Sequence, residues 1–438
     1  MIITANARPL HILVIGAYGF IGQAVTRQLL TLGHRVTGLG RSARTGKRLL
    51  PSVNWVERDL AHMSRAELWL PLLDGVDVVI NAAGALQDGA RDDLRAVQDQ
   101  AMQALIGASE QTTLHRYIQI SAVGAAPAAA TRFLRTKGRA DQRLLESSLD
   151  WVILRPGLVI GANAYGGGAL LRALAALPGV QPLVLGSARI QCVGLTQVAA
   201  IVARAAESGF PPKTIMDLVE PNSHALHEVI GAMRTWLGLG PARWHLEIPL
   251  WCGNLVAGGA DLLGSLGWRS PLRSTSLRHL EAGVTGNPQT AVALLGQPLM
   301  DLDQILAGMP ATVGDRWFAQ LYLLMPVVVA TLSAFWVLSG LIALANLPAA
   351  TNVFAGSVAF ASSLVIVASL ADIGLGLAVL YRPWTRWACW GMVVMTLVYL
   401  ASATVYLPHL WLDPLGPLLK SIPAMLLALL TPVFLVER

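Results

Sequence analysis

His11-Ile12-Leu13-Val14-Ile15-Gly16-Ala17-Tyr18-Gly19-Phe20-Ile21-Gly22 is the stretch on which the reading of this chain turns. Residues 11–15 form a short, largely apolar run closed by glycine, the pattern of a strand buried on both faces of a parallel sheet. Ile21, Val25, Leu29 and Leu32 follow at helical spacing, and Gly33 ends that helix. Gly16-x-x-Gly19-x-x-Gly22 thus lies between a buried strand and a helix N-terminus. Bare backbone in such a turn lets amide groups and the positive end of the helix face a phosphate, whereas side chains would hold it away. A dinucleotide-binding loop is the expectation, contributed by Gly16, Tyr18, Gly19, Phe20, Ile21 and Gly22.

Working outward, strand patterns recur at residues 35–39, 53–56, 76–80, 116–120 and 151–154. Helical patterns lie between them, clearest at 65–73, 94–110 and 131–147. Alternation of this kind predicts an α/β fold, a doubly wound parallel sheet of Rossmann type. The core is expected over residues 1–215, with a further strand near 215–219. A less regular substrate-side lobe follows over 216–310. After the sixth strand, Gly166-Gly167-Gly168 is a flexible loop before a helix, and the lobe itself holds Pro271-Leu272-Arg273-Ser274 as a turn and helix start. Arg273 and Arg278 are its cations available to an anion, and the lobe names no substrate.

The remainder is different in kind. Charged residues make up 13% of the 438, against about 25% in soluble domains, and nearly all precede Arg316. Mean hydropathy is +0.55. Stretches 318–345, 353–380, 386–406 and 416–436 are each long and apolar enough to cross a bilayer. Pro348, Pro383, Pro408 and Pro414 mark the breaks. The expectation is an all-α four-helix transmembrane bundle over residues 317–438, with the lipid bilayer as its first partner. Arg316, Arg382, Arg386 and Arg438 fall on one side; residues 346–352 carry no charge, and His409, Asp413 and Lys420 lie on the other. This bias predicts a multi-pass inner (plasma) membrane protein with both termini and the nucleotide domain cytoplasmic. Trp317, Trp384, Trp387 and Trp411 fall at the expected interfaces. Residues 1–10 lack the apolar segment of a signal peptide.

Several classes are excluded. A net charge of +6 comes without a basic cluster interleaved with aromatics, so no nucleic acid is expected. Cys192, Cys252 and Cys389 make no CxxC or Cys/His cluster, so neither a metal nor a disulfide framework is expected. His224 and His227 share a helix face without further ligands and read as solvated helix residues.

Cofactor choice rests on the end of the second strand, where an acid suits a ribose 2′-hydroxyl and an arginine a 2′-phosphate. Arg41-Ser42 stands there. Arg44, Lys47 and Arg48 follow, and no acidic residue precedes Glu57. NADP(H) is favoured, with NAD(H) the alternative.

These residues resemble the short-chain dehydrogenase/reductase superfamily, specifically extended and atypical members that act on nucleotide sugars or serve as complex I accessory subunits. The resemblance spans about the first 300 residues. It rests on the glycine triplet, Asp59-Leu60, Asn81-Ala82-Ala83-Gly84, Ser121 and Arg155-Pro156-Gly157. It implies that Asp59 contacts the adenine, that Ala82 and Ala83 line the cofactor, and that Lys137 holds the nicotinamide ribose. It also implies a catalytic Tyr-x-x-x-Lys, with Ser121 orienting a substrate carbonyl. Here that motif reads Phe133-Leu134-Arg135-Thr136-Lys137. Phenylalanine has no proton to give, and a positioned acid or base is worth about 10²- to 10⁴-fold in rate. Three readings follow: Tyr18 or Tyr165 substitutes as donor; the acceptor is a flavin or quinone that needs no protein acid at the hydride step; or the cofactor is structural.

The tail resembles the DoxX-like family of four-helix membrane domains, on Ala371-Asp372, Asp413-Pro414-Leu415-Gly416-Pro417, Lys420 and Pro423. The resemblance implies quinone-coupled redox. Asp372, a carboxylate within an apolar span, is a candidate catalytic residue or a structural hydrogen bond to a neighbouring helix. The leading expectation is a membrane-anchored NAD(P)H oxidoreductase passing hydride or electrons to a quinone or other lipid-soluble acceptor. The alternative is a non-catalytic NADP(H)-binding scaffold or assembly protein of a membrane complex.

Overall fold

In a computed structural model describing residues 8–84, 93–268, 270–352, 358–414 and 416–435, the opening apolar run is strand β1 (His11–Ile15). It runs into helix α1 (Phe20–Thr31). Strands β2 (Arg35–Gly40), β3 (Asn54–Glu57), β4 (Val78–Asn81), β5 (Arg116–Ile120) and β6 (Trp151–Pro156) follow. With Thr214–Leu218 they form a seven-stranded parallel sheet, ordered Thr214–Leu218, β6, β5, β4, β1, β2, β3. Val14 pairs with Gly38 on one side and Ile80 on the other. The strand order therefore reverses at β1 and β4, and a crevice opens at their carboxyl ends, where open α/β sheets bind ligands.

Alternate residues of the strands supply two cores. Ile12, Val14, Val78, Ile80 and Val152 pack with Val25 and Val202 on one face. Leu13, Ile15, Val79 and Ile153 pack with Trp69, Leu105 and Leu144 on the other. Burial on both faces is why these strands read as continuous apolar runs.

Two expected helices are broken. Residues 65–73 form a 3₁₀ turn, Ala66–Leu68, and a short helix, Leu70–Leu73; Pro71 has no N–H to continue the earlier turn. Residues 94–110 begin with a π-helical stretch, Ala96–Gln100, before Ala101–Ser109. The third is a helix, Arg132–Leu145, with the Thr131 hydroxyl accepting from the Leu134 amide at 3.3 Å.

The chain divides into two compact units, one of residues 1–261 with 270–319, the other of 262–269 with 320–438. In the first, a lobe core gathers Leu171, Ile190, Ile230, Leu302 and Ile305. Arg172 is central there: it bonds Asp315 at 2.9 Å and lies over the Trp236 ring. Residues 318–322 end a separate helix, Val313–Tyr322, tied to this lobe through Asp315 and Arg316. The first membrane-length helix consequently starts later than expected, at Leu324.

In the second unit, Leu324–Ala345, Phe360–Ala378, Thr385–Tyr406 and Pro417–Phe434 are long and apolar enough to cross a membrane. Leu324–Ala345 and Val358–Ala378 approach closely. A Cβ on Gly340 would lie 2.5 Å from the Ser369 carbonyl oxygen, and one on Gly376 2.7 Å from Val337. Small residues permit such contact between helices in lipid. Residues 353–357 of the expected second span, Leu415 and Arg438 lie outside the described residues.

Candidate functional site

The site begins at the β1–α1 turn. Gly16 has φ +74°, and a Cβ there would meet the Ala83 backbone at 2.9 Å. A Cβ on Gly22 would come within 2.1 Å of the Gly16 carbonyl oxygen. One glycine lets the turn close against the β4 loop, and the other lets α1 close on the turn. Gly19 is the N-cap of α1 and supplies no side-chain cap, so Phe20 and Ile21 open a helix with its N-terminal amides available to an anion. Ala82 and Ala83 meet this turn from β4: the Ala82 amide donates to the Ile15 carbonyl at 3.0 Å, and Asn81 Oδ1 accepts from the Ala83 amide. This geometry fits a pyrophosphate.

At the adenosine side, the Tyr18 ring covers Gly40 at the end of β2, and its hydroxyl accepts from the Arg41 amide at 2.9 Å. Ser42 caps α2 (Ala43–Leu49), accepting from the Thr45 amide at 3.2 Å. Glu57 reaches the same loop. Its Oε2 accepts from the Ala43 amide at 2.7 Å, a placement that puts a carboxylate beside the basic cluster at Arg41. In the sequence Glu57 stands well beyond Arg41; strand register brings it opposite Gly40. Asp59 Oδ1 accepts from the Ala61 amide and Leu60 is buried in the core.

The nicotinamide side is built on the Arg132–Leu145 helix. Lys137, 5% exposed, donates from Nζ to the Ile120 carbonyl at 2.7 Å and the Ala83 carbonyl at 3.1 Å. An ammonium has three protons, so one is left for a ribose hydroxyl. A Cβ on Gly84 would lie 3.4 Å from that nitrogen. Burial pushes the Lys137 ammonium down to about 8, against the pull of Asp141. Pro156 ends β6, and Gly157 donates to the Leu218 carbonyl.

Ser121 has a hydrogen-bond partner within the domain. Its hydroxyl donates to Asp141 Oδ2 at 2.7 Å, and Arg155 Nη2 lies 3.3 Å from the same oxygen. A hydroxyl has one proton, and here it is directed to Asp141. Burial raises the Asp141 carboxyl above its ordinary value. Asp141 sits one helical turn beyond Lys137, a partner that sequence motifs did not signal.

Ala122, Ala125 and Leu134 pack instead with Phe133. That face of the site is apolar. Neither tyrosine offered as a substitute is on it. Tyr18 is engaged at Arg41, and Tyr165, 52% exposed, stacks on Phe20 with ring centres 5.6 Å apart. What does meet Phe133 is His279, edge-on at 6.1 Å, from the helix Ser274–Glu281.

Elsewhere, His224 bonds Glu220 at 3.0 Å and His227 the Gly186 carbonyl at 2.9 Å. Among the described residues no group of three or more His, Cys, Asp or Glu is placed to hold a metal. In the membrane unit Asp372 is buried and accepts from the Tyr399 hydroxyl at 2.7 Å, from the Thr385–Tyr406 helix.

Residues 16–172 match the NAD(P)H-binding family, and residues 333–429 match the DoxX-like family. The chain is 25% identical over 246 residues to NADH dehydrogenase (ubiquinone) 1 alpha subcomplex subunit 9, mitochondrial, of Arabidopsis thaliana, covering 54% of this chain and 60% of that protein. It is 28% identical over 149 residues to photosystem II assembly factor Ycf39 of Synechocystis sp., covering 33% and 44%. The chain thus matches roughly half of the length of these relatives. In structure it resembles Bordetella bronchiseptica enzyme WbmH in complex with NAD+, with TM-score 0.52 and 16% identity over 72% of this chain and 99% of that one. It also resembles WbmG of the same organism in complex with NAD, with TM-score 0.52 and 18% identity over 70% and 94%. The chain therefore carries an NAD(P)H-binding Rossmann domain, with the fold of the NAD-bound WbmH and WbmG structures, joined to a C-terminal DoxX-like domain.

Proposed function

We propose that this protein is a membrane-anchored NAD(P)H-dependent oxidoreductase that delivers hydride to a quinone or similar lipid-soluble acceptor. One observation carries the reading: a glycine turn shaped for a dinucleotide and the buried Lys137 ammonium adjoin a face where Phe133 stands at the tyrosine position and packs with Ala122 and Ala125. A reduced nicotinamide supplies hydride, and an apolar wall suits a planar, weakly polar acceptor better than a sugar. The four apolar helices hold the chain in the layer where such acceptors dissolve. On the charge bias of the loops, the nucleotide domain and both termini belong on the cytoplasmic side. Arg41, Arg44, Lys47 and Arg48 favour NADP(H), while Glu57 at the Ala43 amide opposes a 2′-phosphate.

The second reading is a cofactor-binding scaffold of a membrane complex. It is supported by the commitment of Ser121 to Asp141 and by likeness to a complex I subunit and a photosystem II assembly factor. Purified protein in nanodiscs, given NADPH and a short-chain quinone, separates the two. Oxidation well above a Gly19→Asp control supports the enzyme; binding without turnover across an acceptor panel supports the scaffold.

A further inference from the structure

We propose that His279 is the proton donor of this site, taking the place that Phe133 leaves without one. This rests on the oxidoreductase reading above. The His279 ring meets the Phe133 ring at 84°, with centres 6.1 Å apart. Phe133 is one helical turn before Lys137, whose ammonium is fixed at the carboxyl ends of β4 and β5. The imidazole therefore stands beside the position from which the related tyrosine would act. It arrives from a different part of the chain, on Ser274–Glu281. That helix is anchored after its end, where the Val284 amide donates to the Arg189 carbonyl and the Gln191 amide to the Val284 carbonyl.

A second observation is independent of that placement. His279 Nδ1 is buried and has no hydrogen-bond partner among the described residues. Buried polar atoms in native proteins are paired, and an unpaired one at a candidate site marks a group held for use. Burial lowers the imidazole pKa, so the ring rests neutral at neutral pH and takes up its proton as negative charge builds on the acceptor.

The step balances with a quinone as oxidant. The acceptor takes a hydride, and with it an electron pair, from the reduced nicotinamide. One of its oxygens takes a proton from His279 as the imidazolium N–H bond breaks and an O–H bond forms. Solvent then returns a proton to the imidazole. One hydride and one proton together complete the quinol; where the hydride reaches a ring carbon, tautomerisation moves that hydrogen to oxygen and no further proton is consumed.

His279→Gln and His279→Asn, measured in the full chain in nanodiscs, test the assignment. Each is expected to bind NADPH as wild type by fluorescence titration, and to oxidise it with a short-chain quinone about 10²-fold more slowly. Phe133→Tyr introduced into His279→Gln is expected to restore part of the lost rate. Carbethoxylation by diethyl pyrocarbonate, mapped by mass spectrometry, gives a readout apart from turnover: NADP+ is expected to slow modification of His279. Wild-type turnover retained in both variants, or modification of His279 indifferent to NADP+, overturns the assignment and leaves the oxidoreductase standing. No turnover in wild type itself overturns both.

Discussion

The glycine cradle and the Phe133 face lie in one domain, yet they differ in what they keep. At the cradle every backbone requirement of a dinucleotide is met: Gly16 at φ +74°, Gly22 against the Gly16 carbonyl, and an α1 N-terminus without a side-chain cap. At the Phe133 face the motif tyrosine is absent and Ser121 is bonded to Asp141, while Ala122 packs with Phe133 and the polar ring against it, His279, comes from another lobe. Binding and chemistry are thus separable in this fold. The machinery for holding a cofactor is backbone geometry, whereas that for proton transfer is a few side chains that can be exchanged without disturbing it.

The strongest way to break the contrast is at the cradle. Gly22→Val forces a Cβ into a gap of 2.1 Å and is expected to weaken NAD(P)H binding about 100-fold or more. Fluorescence titration reads the loss, with a thermal melt to show that the sheet persists. Unchanged affinity would remove the cradle from the account. The Phe133 face is sharpened by gain rather than loss. Phe133→Tyr combined with Ala122→Ser introduces two hydroxyls, and carbonyl reduction is expected to rise about tenfold or more over wild type. No gain would mean that the face differs in more than these groups.

Lys137 joins the two regions. Lys137→Met removes a charged donor and is expected to raise the dissociation constant about tenfold. The pH dependence has a definite sign. Burial lowers this lysine to about 8, so the donor is charged below that pH and is lost as pH rises through it. Affinity for NAD(P)H is expected to hold at lower pH and fall above about 8 in wild type, and to lose that fall in Lys137→Met. The smallest effect belongs to Glu57. Glu57→Gln takes a carboxylate from the Ala43 amide and is expected to shift the NADPH-to-NADH affinity ratio a few-fold toward NADPH.

The cradle was legible in the sequence because its parts are local. A strand, a glycine triplet and a helix follow one another within the first 33 residues, and their spacing carries the geometry. The seven-stranded order was legible as a class, from alternation of apolar runs and helical periods. The Phe133 face was not. Phe133 announced a missing hydroxyl, but its neighbour His279 comes from a lobe whose pattern is irregular, and only the fold brings the two together. For Ser121 the motif named the residue but not its hydrogen-bond partner, Asp141. Glu57 stands well beyond Arg41 in the sequence, although parallel pairing sets it beside Gly40. Tyr399 and Asp372 show the same limit in the membrane unit, where the carboxylate stood out and its partner did not.

Single-turnover oxidation of NADPH deuterated at the nicotinamide C4, bound to the full chain in nanodiscs and mixed with a short-chain quinone, tests the central claim most directly. The account predicts that the bound cofactor is oxidised with a primary deuterium isotope effect and that Gly22→Val abolishes the reaction. Cofactor that binds but stays reduced in the presence of the quinone would contradict it.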